Sequence, residues 1–407
     1  MKHAVLGAAA LALMAIGQAG PHPARAQVSD DVVKIGVLTD MSSLYSDING
    51  QGAVIATQMA IDEMGGSVLG KKIEMIQADV QNKPDVAVST AGRWFDVEKV
   101  DMILGAAASS SSIATMGVAA QKRRIFIATD PASSDITGKL CNAYTVHWVY
   151  DTAALANGTG SAVVKSGGDT WFFVTADYAF GHALERDVAN IVKANGGKVL
   201  GGVRHPLNNA DFSSFLLQAQ ASGAKVIGLA NAGGDTINSI KQAAEFGIVQ
   251  RGQKLAGLLV FVTDVHSLGL KLAQGLNMTE AYYWDQNDAT RAFAKRFGEK
   301  FGGKMPTSIQ AGYYSATRRY LEAVKEAGTD DADKVMAVLK KEPFDDPVFG
   351  KSYIRADGRK IHDMYLYEVK KPEESKGPWD YYKFVRMIPG DEAFRPMDQG
   401  ECPMVKK

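Results

Sequence analysis

The chain has 407 residues, 46% of them hydrophobic and 22% charged, and its 45 basic and 45 acidic side chains cancel. That length exceeds the roughly 250–300 residues at which single cores stop growing, so two lobes are expected, and the composition is that of a folded protein. Zero formal charge without a basic run excludes nucleic acid as a partner.

The chain opens with Lys2 and His3 ahead of an apolar run at 4–17, and small residues Ala24 and Ala26 flank Arg25. This pattern predicts an export signal cleaved after Ala26. The run is short for a bilayer span, and nothing later approaches the roughly 20 apolar residues that a spanning helix needs. No cysteine near the cleavage point could accept a lipid, so a free periplasmic protein is expected.

Strand-like and helix-like segments then alternate. Strands are predicted at 32–38, 72–78, 102–104, 125–128 and 171–175, with helices at 51–64, 85–98, 111–122 and 153–165. Further strands at 199–203, 226–229 and 255–259 alternate with helices at 184–194, 212–221 and 236–246. This is β-α-β wiring in two similar doubly wound units. After Gly275 come a short strand, three helices (289–301, 308–327, 332–340) and strands at 351–354, 364–369 and 381–387, which resemble returns to the two lobes more than a third domain.

Several motifs fail on inspection. Residues 65–72 nearly spell a phosphate loop, but Lys72 replaces the metal-binding hydroxyl and the order is helix to strand, the reverse of what faces amides toward an anion. Gly50 and Gly52 open a helix, yet Ile55 stands where a dinucleotide fingerprint needs glycine. The seven histidines form no metal-ligand spacing and there is no nucleophile elbow, so no cofactor, metal site or catalytic residue is assigned. The only cysteines are Cys141 and Cys402, and an even count in an exported chain favours one disulfide over two buried thiols, because Cys402 sits in a polar tail with little core to hide in.

The informative stretch is 105–112, Gly-Ala-Ala-Ala-Ser-Ser-Ser-Ser, between a strand and a helix. A helix N-terminus offers unpaired N–H donors and partial positive charge, and Ser109 and Ser110 add hydroxyls without bulk, a combination that suits a carboxylate. Taken alone it would be read as an ordinary serine cap. A second small polar loop, 129–137, follows the next strand and brings Ala132 and Ser133 to the same carboxyl edge of the sheet, where open α/β folds bind ligands.

Ile35-Gly36-Val37 through Met41-Ser42, the 105–112 loop and residues 132–138 resemble the leucine/isoleucine/valine-binding family over nearly the whole mature chain. The resemblance implies a type I periplasmic-binding α/β fold, two Rossmann-like lobes joined by a three-strand hinge with a ligand enclosed between them. It implies a first lobe of 27–147 plus 277–355, a second of 148–276 plus 356–388, and a tail of 389–407. By position, Ser109 matches the serine that holds the ligand carboxylate, and Ala132 and Ser133 match the loop that supplies further contacts. The 177–181 loop matches the second-lobe loop whose aromatic residue closes on the ligand, making Tyr178 and Phe180 candidates; for each, packing on the neighbouring helix is the alternative.

This sequence departs from the family where amino-acid binders place an acid for the ligand ammonium. Phe261 and Val262 are apolar there, leaving Asp264 as the one candidate for a cation. With Tyr45, Trp148, Tyr150, Tyr178 and Phe180 expected near the cleft, the site suits an aromatic or other carboxylate lacking an amine, with branched-chain amino acids the family default. The resemblance further implies ABC permease subunits as partners and a monomer. A sensor for a membrane receptor, an amide or urea binder and a periplasmic enzyme are the competing readings; permease or receptor pull-down and ligand turnover separate them.

Overall fold

The computed structural model describes residue 1 and residues 28–405; the expected signal segment and its cleavage point lie outside the described residues. The first lobe is built on a six-stranded sheet of β1 (Val32–Thr39), β2 (Ser67–Val68), β3 (Lys71–Asp79), β4 (Met102–Gly105), β5 (Ile125–Ala128) and β6 (Thr145–His147), in the order β2-β3-β1-β4-β5-β6. All neighbours are parallel except the β2/β3 hairpin. Strands β4 and β5 are buried along their whole length, as expected of a parallel sheet covered on both faces by helices.

The second lobe carries a parallel sheet of β7 (Thr170–Ala176), β8 (Lys198–His205), β9 (Val226–Ala230) and β10 (Lys254–Gly257), in the order β10-β9-β7-β8. The alternation read from the sequence is present throughout. Only short strands escaped it, among them β6, whose three residues are too few for a periodic signal. The helix expected from 184 begins five residues earlier, at Ala179–Ala194, and carries Tyr178 as its extended N-cap residue.

Beyond these sheets lie β11 (Asn277–Glu280), β12 (Phe344–Asp346), β13 (Gly350–Ile354), β14 (Lys360–Ile361), β15 (Met364–Val369) and β16 (Tyr382–Ile388). β11 pairs antiparallel with β15 in a three-stranded sheet completed by β16, so residues 277–280 lie with the carboxyl-terminal hairpin. The chain between the lobes is tied by polar contacts. His147 bridges to Arg359, Arg359 Nη1 donates to the Tyr150 carbonyl at 2.9 Å, and His362 Nε2 meets the Val149 carbonyl at 2.8 Å. Arg359 and Lys360 are fully buried, Lys360 beside Asp346 at 2.9 Å. Cys141 and Cys402 are joined by a disulfide that fastens the tail beside the first lobe, where Arg395 Nη2 donates to the Ser134 carbonyl at 3.1 Å.

Candidate functional site

Three loops converge at the carboxyl edge of the first sheet. After β1, the Asp40 carboxylate accepts from the Ser43 N–H at 3.0 Å and the Tyr45 N–H at 2.8 Å, folding the chain so that Tyr45 turns inward. Asn82 donates to the same carboxylate at 2.7 Å and accepts from the Ala108 N–H at 3.2 Å, tying this loop to the next.

After β4 the backbone passes through Gly105 (φ 95°), Ala106 (φ 69°) and Ala107 (φ 48°), three successive left-handed residues of which two carry a Cβ. Such conformations are costly for L residues and concentrate at functional sites. They swing the chain abruptly into the helix Ser109–Lys122, whose first intrahelical bond runs from the Ser112 N–H to the Ala108 carbonyl at 2.9 Å. The Ser109, Ser110 and Ser111 N–H groups just ahead of it are therefore the free donors of a helix terminus. Gly105 is required by its neighbour: a Cβ there would stand 1.7 Å from the Tyr313 hydroxyl.

After β5, the Ala132 and Ser133 N–H groups point at Ser109 Oγ, at 3.3 and 3.2 Å. Ser109 Oγ, those amides and the helix N-terminus thus converge on one point. A carboxylate placed there receives charge-assisted hydrogen bonds and the favourable end of the helix dipole.

A small cavity lies against this point. Tyr45, Ile48, Asn49, Ala107, Ala108, Ser109, Asp130, Pro131, Ala132 and Ile309 line it from the first lobe. Tyr178, Phe180, Ala232, Leu259 and Phe261 line it from the second, with Tyr150 at the crossover. Five aromatic rings thus face a small volume, Tyr150 and Phe261 meeting edge to face at 5.9 Å. The Tyr45 and Tyr178 hydroxyls bond to each other across the cleft at 2.5 Å. Burial raises the pKa of both, and of Tyr150, so all three are neutral donors at physiological pH.

Among the described residues no lysine, arginine or histidine lines the cavity, and Asp130 is its one acid. Asp130 Oδ2 accepts from the Tyr313 hydroxyl and the Ala107 N–H, both at 2.8 Å. Burial pushes its carboxyl up to about 7, against the opposing pull of those two donors.

Most of the residues singled out in the sequence meet here: Ser109, Ala132, Tyr45, Tyr150, Tyr178 and Phe180 all line the cavity. Others do not. Ser110 is partly exposed and off the wall, and Ser112 turns its hydroxyl back to the Gly105 carbonyl at 3.2 Å, because successive helical residues point 100° apart. Ser133 contributes its N–H, while its hydroxyl caps the short turn Ser134–Thr137. Trp148 packs on Phe344 and donates to Ser315 Oγ, away from the cavity. Asp264 is buried, but its carboxylate accepts from the Phe261 N–H at 2.8 Å as a helix cap, which orients Phe261 rather than facing a ligand. Sequence reasoning missed Ile48, Asn49, Ile309, Leu259 and Phe261 as wall residues, and gave Asp130 no role. Ile48 and Ile309 meet through the Thr307 cap, whose hydroxyl donates to the Ile48 carbonyl at 2.7 Å, a contact across 259 positions that leaves no local signal.

Two α/β lobes with a cavity lined from both of them define a solute clamp of the type I binding-protein class. The periplasmic binding protein family model matches residues 32–377. The chain belongs to the periplasmic binding protein family. It is 55% identical to a periplasmic binding protein of Burkholderia mallei, with a TM-score of 0.90 over 92% of this chain and 100% of that one. It is 42% identical to a branched chain amino acid ABC transporter periplasmic ligand-binding protein of Burkholderia xenovorans LB400, with a TM-score of 0.81 over 91% and 99% of the two chains. A solute binding protein of an ABC transporter from Rhodopseudomonas palustris BisB5, solved with 3,4-dihydroxy benzoic acid, shares the fold at 23% identity and a TM-score of 0.80, over 89% and 98%.

Proposed function

We propose that this protein is the solute-capturing component of an ABC importer, acting in the periplasm after removal of its first 26 residues, and that its ligand is a small aromatic carboxylate. One observation carries the reading: five aromatic rings surround a cavity whose main polar feature is a helix N-terminus with Ser109. Helix-terminal amides and a hydroxyl neutralise one carboxylate without a lysine or arginine. Stacked and edge-on rings then cover an aromatic body better than a branched aliphatic one. Closure of the second lobe presents the ligand-bound form to the permease, and a monomer suffices for that task.

A branched-chain amino acid is the second reading, favoured by the description of the Burkholderia xenovorans relative. It needs a partner for the ligand ammonium. The one acid on the wall among the described residues, Asp130, has its carboxyl pushed up by burial and both oxygens already accepting hydrogen bonds, Oδ2 from Tyr313 and Ala107 and Oδ1 from Thr129, which makes it a weak counter-ion. A thermal-shift screen over benzoates, hydroxybenzoates, phenylacetates and the branched-chain amino acids, followed by calorimetry on the hits, tests the proposal. Stabilisation by aromatic acids alone supports it; stabilisation by leucine or valine with no response to benzoates overturns it.

A further inference from the structure

The Tyr45 and Tyr178 hydroxyls both stand on the cavity wall, one from each lobe. Together they hold two O–H donors, and their mutual bond at 2.5 Å uses one. Neither hydroxyl makes another hydrogen bond among the described residues. The Asp235 carboxylate is close enough to raise the pKa of both, yet its oxygens accept from the Asn208 and Asn209 N–H groups, at 3.1 and 2.8 Å, and not from the tyrosines. Tyr150, the third hydroxyl on the wall, is committed to the Asp130 carbonyl at 2.8 Å. The pair is therefore left with one unspent donor and free lone pairs in a cavity that is otherwise mostly apolar.

We infer that the Tyr45–Tyr178 pair selects the ligand, favouring a carboxylate that carries a second hydrogen-bonding group, which for an aromatic acid is a phenolic hydroxyl. The inference rests on the aromatic-carboxylate reading above and narrows it. A ligand hydroxyl can donate to one tyrosine and accept from the other, completing a chain of three. A bare ring covers the pair without meeting its spare donor, a penalty absent from the open form, where water reaches both hydroxyls. Because the two tyrosines come from opposite lobes, the preference is expressed only on closure, and the correct ligand draws the lobes together through the contact that recognises it.

Calorimetry with benzoate, 3-hydroxybenzoate and 4-hydroxybenzoate on the mature wild-type protein and on Tyr45→Phe, Tyr178→Phe and the double variant tests this, with melting curves to verify folding. The wild type should bind at least one hydroxybenzoate about three- to tenfold more tightly than benzoate. In the double variant that ratio should fall to within about twofold. Should the double variant melt early, each single variant, which removes one donor, gives the same test. A ratio that survives in the folded variants, or a wild type that prefers benzoate, overturns the inference while leaving the aromatic reading intact. Failure of the wild type to bind any of the three overturns the inference, and failure to bind any aromatic acid of the thermal-shift screen overturns both.

Discussion

Arg186, on the second lobe's helix Ala179–Ala194, reaches across the cleft to the Asp135 carboxylate of the first lobe, with Nη1 3.1 Å from Oδ1. The neighbouring Asp187 accepts from the Ser134 and Thr152 hydroxyls, both at 2.6 Å. With the Tyr45–Tyr178 bond, the Arg186–Asp135 and Asp187–Ser134 contacts join the two lobes directly, whereas the Thr152 contact lies within the second lobe. The Arg186–Asp135 pair is partly solvated, which limits it to roughly 1 kcal/mol or less. Asp135→Asn is expected to weaken ligand binding about two- to fivefold, with the difference shrinking in high salt. Calorimetry at two ionic strengths checks this; a salt-independent loss would argue against an electrostatic contact.

The Gly233 loop of the second lobe seats the Tyr45 loop. A Cβ on Gly233 would lie 2.8 Å from the Leu44 carbonyl oxygen and 3.0 Å from Tyr45 Cδ1. Gly233→Ala should therefore hold the lobes apart, reducing the ligand-induced fall in radius of gyration and weakening binding by about tenfold, if the lost closed-state contacts amount to roughly 1.4 kcal/mol. Gly233 also has a φ of 57°, so the variant carries local strain. Strain alone would lower the melting temperature and leave the scattering change intact, which is the result that would reject the seat.

Ser109→Ala removes the hydroxyl on which the Ala132 and Ser133 amides converge. A charge-assisted hydrogen bond is worth about 1.5–3 kcal/mol, so affinity should fall about tenfold or more. Ser133→Ala should have a smaller effect, since it retains the N–H. Equal affinities for wild type and Ser109→Ala would rule out the carboxylate site.

Asp264 offers a pH test. Burial pushes its carboxyl up to about 7 from a value near 3.8 in the unfolded chain. Between those pH values the folded state holds a proton that the unfolded state has lost, so this group's contribution to stability falls as pH rises from about 4 to 7 and is level above. Asp264→Asn keeps the acceptor for the Phe261 N–H but cannot ionise. Its stability relative to wild type should therefore improve from pH 5 to about pH 7 and then level off, with ligand affinity within about twofold of wild type because Asp264 does not line the cavity. Denaturant melts across that range decide it: a pH-independent difference would mean that Asp264 does not titrate there.

The disulfide closes a span of 261 residues, for which chain entropy gives on the order of 5 kcal/mol as an upper guide. Mass spectrometry of non-reduced peptides from periplasmic material should find Cys141 linked to Cys402. The double serine variant should melt several degrees lower, and its tail should be cut by protease earlier than that of the wild type.

The sequence by itself determined the β-α alternation, the two doubly wound lobes and the meeting of the Ser109 and Ala132 loops at one cavity. These depend on short-range physics: apolar periodicity sets the elements, and Ser109 and Ala132 follow adjacent parallel strands, which places both at one sheet edge before any packing is known. The tertiary structure decided the rest. Asp264 and Phe261 sit three positions apart, and only the orientation of one helix cap makes the acid structural and the ring a wall. Tyr45 and Tyr178 are separated by 133 positions, and their bond exists only because the hinge brings two separately formed lobes face to face. Local propensity carries no information about which side chains meet across a cleft, since that is set by the relative placement of whole sheets through contacts such as Arg359 to Tyr150, 209 positions apart.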